Sequence, residues 1–281
     1  LYLSVIAFTF FLNKDVSLSL GLTGVAWLAL GAILIRNGIA FSNGFVSTDI
    51  GPMLRFGAYL GTAMMLAYIG RRYYANVLTS AFGWRRKADT PVESTWAARF
   101  LLLCALGAIF LLARLGGLGW LLSALAVFLI LLIFVIVARV NTETGALFIQ
   151  PWWTPVGLLT AVFGIQGLGP QGLIVLGLVS IVLVGDPRTA LMPFLSNGLR
   201  MTDRIAGAPL RRICPLLLVM IVVGFFVALG ATMLIMYNRG IGGFYDGGTR
   251  WFASMPFNEL VASLSKLSSR GELEAATAVR G

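Results

Sequence analysis

Ala138–Trp153, ARVNTETGALFIQPWW, follows a long apolar run at Leu118–Val137, and Gly185–Pro193, GDPRTALMP, follows another. Both stretches set charges, glycines, prolines and amide side chains at the point where an apolar helix would leave a bilayer. The remainder of the chain reads as hydrophobic scaffold. These two stretches therefore mark the ends of membrane crossings, and the fold class they imply is an all-α polytopic transmembrane bundle.

Composition supports that class. The chain has 281 residues, of which 58% are hydrophobic and 11% charged, with a mean hydropathy of +0.90. A soluble domain carries about 25% charged residues. The net charge of +10 reads as basic loops facing anionic lipid, so the bilayer is the expected partner and nucleic acid is not. The absence of histidine removes the usual imidazole base, histidine-ligated haem and most zinc sites. Cys104 and Cys214 fall in or beside separate apolar runs and read as small hydrophobes. No metal site, cofactor or catalytic group is expected, and no Walker, GxSxG, HExxH or CxxC pattern is present. The sequence opens at Leu1 inside an apolar run, without a basic signal-peptide start. It reads as a processed product or a fragment.

Seven spans are expected, near 16–35, 53–70, 99–114, 118–137, 154–169, 172–184 and 213–237, with a surface amphipathic helix at 194–205. Together they make a bundle over 1–237, followed by an extracytoplasmic tail over 238–281. Gly116 and Gly117 form a turn, and Arg71–Tyr74, Trp152 and Trp153 read as interfacial anchors. The segments 154–169 and 172–184 are short and are separated by Gly-Leu-Gly-Pro at Gly167–Pro170. They suit two tilted spans or a re-entrant hairpin, and their length favours two spans.

Charge orients the bundle. Lys14, Arg71, Arg72, Arg85, Arg86, Lys87, Arg99, Arg139, Arg188, Arg200, Arg204, Arg211 and Arg212 fall on one side, against Arg36, Arg55 and Arg114 on the other, with five more in the tail, where a translocated segment weighs little. The positive-inside rule makes the first side cytoplasmic and the tail extracytoplasmic, in a bacterial inner or plasma membrane.

The candidate polar site is Arg139, Asn141 and Glu143 with Asp186 and Arg188. Glu143 lies four residues after Arg139, on the same helix face. Gly145 permits a sharp backbone turn. The functional reading is a cation, proton or substrate site at broken helix ends, with carboxylates for a cation and Arg188 for a carboxylate. The plainer reading has Asp186 capping the surface helix and Arg139 reaching to headgroups.

In these residues the chain resembles an uncharacterised family of large polytopic bacterial membrane proteins. The resemblance rests on Asp15, Ser17 and Ser19 at the entry to a span, and on Ala138, Arg139, Glu143 and Gly145. It continues through Asp186, Arg188, Leu191, Met192 and Pro193 to a surface helix ending near Thr202 and Asp203. It covers most of Asp15–Leu267 and implies that the chain corresponds to the C-terminal part of longer proteins, distantly like oligopeptide-type transporters. Two functions are expected in consequence. One is a permease-like protein moving a small solute, or the C-terminal part of one. The other is a non-catalytic subunit scaffolding a larger membrane complex, with other membrane subunits or further copies as partners. An enzyme is not expected, because no nucleophile and base stand together.

Overall fold

The computed structural model describes residues 12–39, 49–83, 92–145, 149–185, 191–206 and 210–240, with isolated positions outside these ranges. Eight helices carry the described chain: α1 Lys14–Arg36, α2 Ile50–Ile69, α3 Arg71–Ala81, α4 Val92–Arg114, α5 Trp120–Thr144, α6 Pro155–Ser180, α7 Leu191–Ala206 and α8 Leu210–Arg239. A π-helical turn, Ile181–Gly185, continues α6. The expected tail over 238–281 lies almost wholly outside the described residues.

Five stretches are long and apolar enough to cross a membrane: Lys14–Arg36, Val92–Arg114, Trp120–Thr144, Pro155–Gly185 and Ile213–Asn238. The protein is membrane-embedded, and its helices give this count where the sequence suggests seven spans. α2 falls outside the five, and the two short segments both fall within the stretch Pro155–Gly185.

α5 is the centre. It is apolar all round, and more than half of its most apolar window is buried, against none of the corresponding windows of α4 and α8. A helix apolar on every face has to be enclosed by protein or by lipid; α5 is enclosed mostly by protein. Ala126, Leu129, Ile130, Ile133 and Val137 pack against Trp153, Val156, Leu159, Leu168, Leu173 and Leu176 of the α6 region. Met53, Phe56, Tyr59 and Ala63 of α2 close the third side. Gly145 ends α5 with a left-handed φ of 71° and donates its N–H to the Asn141 carbonyl at 2.9 Å.

Helix ends and expected span ends differ for a physical reason. α4 begins at Val92 and α5 runs to Thr144, each seven residues beyond the apolar boundary read from sequence. A charge stops a membrane crossing, but it does not stop a helix. The Arg71–Tyr74 anchor opens a further helix, α3, which rests on the start of α4. There the Tyr73 and Ser94 hydroxyls lie 3.0 Å apart, and Arg99 Nε donates to the Ala81 carbonyl at 2.9 Å.

α6 is not one rod. Gly164 (φ 72°, ψ 167°) and Gly169 (φ 65°, ψ 168°) interrupt it. The buried Val156 N–H donates to Ser180 Oγ at 3.2 Å; in a straight helix those residues would stand about 36 Å apart. The element therefore folds back, with limbs at 155–163 and 170–185. Its bend reaches the α4–α5 turn, where the Gln171 amide donates to the Gly116 carbonyl at 3.5 Å. Ser180 is nine residues from Gln171, roughly 14 Å along its limb. The first limb thus begins roughly 14 Å from the α4–α5 turn.

Candidate functional site

The last two turns of α5 separate the residues that the sequence groups. Arg139 and Glu143 form an ion pair across one helical turn, with side chains 55% and 53% exposed. An exposed i,i+4 pair contributes roughly 0.3–0.5 kcal/mol. Asn141 lies about 200° around the helix from both. It is 1% exposed, and neither its Oδ1 nor its Nδ2 has a hydrogen-bond partner among the described residues. Thr142 and Thr144 return their hydroxyls to the Ala138 and Val140 carbonyls at 2.9 and 2.8 Å. Asp186 and Arg188 lie outside the described residues.

Glu143, with Arg139 paired to it, belongs instead with a cavity beside α7. This cavity, of about 490 Å³, opens at the end of α5, lined by Asn13, Thr142, Glu143, Thr144, Gly145, Asn197, Arg200 and Met201. Arg200 Nη1 donates to the Thr142 carbonyl. That carbonyl belongs to the last turn of α5, where carbonyls lack helical partners and the helix dipole favours a cation. Glu143 is the acidic wall residue, and Arg139 neutralises it. Among the described lining residues, Arg200 then leaves one net positive charge. Asn197 and Arg200 fall outside the site read from the sequence, although both lie within the surface helix expected there. Their i,i+3 spacing sets them on one face of α7, and that face proves to be the one turned to α5.

The second place of interest is the start of the α6 hairpin. Residues 149–154 run without helix into the core, and Trp152 has a φ of 46°, a left-handed conformation that is strained for a bulky residue. Arg55 Nη1 donates to the Trp152 carbonyl at 3.3 Å, and its guanidinium lies over the Trp27 ring at 4.4 Å. α1, α2 and the hairpin entry are thereby tied at one point. Trp153 is 1% exposed and meets Phe56 and Tyr59 edge-on at 5.1 and 5.6 Å between ring centres. It is a core residue, which corrects the interfacial reading. Proximity to a proline and to charges suggested the interface, and only the return of the chain into the bundle shows otherwise. Trp152 remains half exposed.

The helix start beyond them is satisfied internally. Pro155 has no N–H. Val156 donates to Ser180, Gly157 to Thr154 Oγ1 at 3.3 Å, and Leu158 to the Thr154 carbonyl at 3.1 Å. No backbone donor of this first turn is left for a ligand in the conformation described. At the far end of the second limb, Gln150 Nε2 donates to the Gly185 carbonyl at 3.3 Å.

Among the described residues no group of three His, Cys, Asp or Glu side chains is gathered to hold a metal. Cys104 and Cys214 are both free and on the outside of the helices.

The family model described as "Family of unknown function (DUF6785)" matches residues 1–279. No curated protein and no solved structure matches the chain.

Proposed function

We propose that this chain, which belongs to the family of unknown function DUF6785, is permease-like and carries a small solute across a bacterial inner membrane, with the folded-back α6 as its moving part. The observation that carries this reading is the interrupted backbone at 149–154 and at Gly169, set among the packed helices, with Gly164 exposed at the bend between the limbs. Non-helical backbone inside a membrane protein is tolerated where protein or a water-filled path surrounds it, and discontinuous helices are the usual walls of transport sites. In the closed arrangement every donor at the limb's start is taken. Parting the limbs frees the Val156 N–H and the Ser180 hydroxyl together, at the end of a helix that favours an anionic group.

The test works whatever the solute is. Gly157→Cys, in a chain whose Cys104 and Cys214 are replaced by Ser, is exposed to a membrane-impermeant thiol reagent from each face in turn. A permease gives labelling that depends on the face and changes when the bound solute changes. Protection from both faces under all conditions overturns the reading.

The alternative, a membrane subunit scaffolding a larger complex, draws on a different observation. α1, α4 and α8 fully bury almost none of their apolar residues against the described chain. Gentle-detergent purification that brings down foreign subunits in fixed ratio supports it. A chain that purifies alone or only with copies of itself speaks against it.

A further inference from the structure

We infer that the cavity between the end of α5, the face of α7 and the start of α1 is a headgroup site for an anionic phospholipid, with the phosphodiester held by Arg200. This inference is independent of any movement of α6. Three elements meet there: Thr142, Glu143, Thr144 and Gly145 from α5 and its cap, Asn197, Arg200 and Met201 from α7, and Asn13, the residue before α1. At about 490 Å³ the space falls in the range of small-ligand sites.

Its chemistry selects an anion. The carboxylate of Glu143 is held by Arg139, so it repels an incoming phosphate weakly. Arg200 spends one N–H on the Thr142 carbonyl and keeps the others; a guanidinium with free donors matches phosphate oxygens in geometry and charge. The Asn13 and Asn197 amides add neutral polar groups to the lining, one from the start of α1 and one from α7, and Lys14 follows Asn13 in sequence.

The surroundings select a lipid over free phosphate. α1 begins at the cavity and continues as 23 largely apolar residues, of which only Gly31 is buried. An acyl chain attached to a headgroup in the cavity therefore has a bare apolar helix to follow. α7 is amphipathic, with Leu191, Met192 and Phe194 exposed. Basic pockets between helices at the membrane surface bind anionic headgroups by this combination of charge and adjacent hydrocarbon.

The experiment is a native mass-spectrometry titration of the full chain in detergent. The probes are phosphatidylglycerol, phosphatidylcholine as the neutral control, and inorganic phosphate as competitor. The expected result is one retained phosphatidylglycerol per chain, phosphatidylcholine weaker by about tenfold, and no displacement by phosphate at equal concentration. Arg200→Ala should weaken phosphatidylglycerol by about tenfold or more. Because Arg200→Ala also removes the contact with Thr142, Asn197→Asp is the second variant. It keeps the Arg200 guanidinium but sets a carboxylate beside it on the same face of α7, and should lose phosphatidylglycerol with unchanged thermal melting. Equal retention of the two lipids, or undiminished binding by Asn197→Asp, overturns the inference. Displacement by inorganic phosphate makes the cavity a free-anion site and overturns the lipid assignment.

Discussion

Asn141 and Glu143 show how much two residues of separation mean on a helix. Both are polar, both sit in the stretch that the sequence singles out, and they face opposite ways. Glu143 is half exposed beside Arg139, while Asn141 is buried with neither end of its amide bonded among the described residues. A buried, unsatisfied polar group costs roughly 1–3 kcal/mol. Asn141→Leu removes that penalty with a side chain of the same branched shape, so the variant should melt higher in detergent, by about 1 kcal/mol of apparent stability. A lower melting temperature would mean that the amide has a partner whose loss outweighs the gain. Charge and spacing made the Arg139–Glu143 pair legible in advance. The isolation of Asn141 was not legible, because it depends on which face of α5 its neighbours cover.

At the scale of elements, α6 is the one whose course departs most from its composition. Its apolar content suits a membrane crossing, but two glycines and a proline turn it back on itself. Gly167–Pro170 was readable as a break. Gly164 was not, since a glycine inside an apolar run is more often a packing residue than a kink. Both Gly164 and Gly169 adopt a positive φ with ψ near 170°, a region that is open to glycine and closed to other residues. Gly169→Ala should therefore destabilise the fold by about 1–3 kcal/mol. Gly167→Ala should be nearly neutral, since its new methyl would sit 3.4 Å from Phe163 Cβ with no positive φ to strain. Thermal melting of the two variants side by side reads the difference. The fold-back itself is open to cross-linking. In a background without Cys104 and Cys214, Val156→Cys with Ser180→Cys should oxidise to an intramolecular disulfide, seen by peptide mass mapping. Persistent free thiols under oxidation would argue against antiparallel limbs.

Across the whole molecule, hydropathy told where apolar helices run but not which of them share a core. α5, α2 and α6 bury one another, while α4 and α8 are comparably apolar and stay open. Burial inside a membrane protein leaves little mark on composition, because lipid and protein interiors favour the same residues. Sidedness rests on charge alone, and it makes a direct prediction. A single cysteine at Lys87 should be unreactive in intact cells towards an impermeant thiol reagent, and one at the end of the chain should react. The reverse pattern would invert the proposed orientation. The π-helical turn Ile181–Gly185 carries a consequence for how the chain tolerates change. A ring closed from i to i+5 holds one residue more than an α-helical turn, so this stretch contains a spare residue. Losing one residue here would convert the turn to ordinary α-helix at small local cost. Because the spare residue is absorbed within a single turn, its loss would leave the exit of the limb pointing nearly as before. Related sequences one residue shorter across these five positions should therefore keep the same fold, with the slack of the turn taken up.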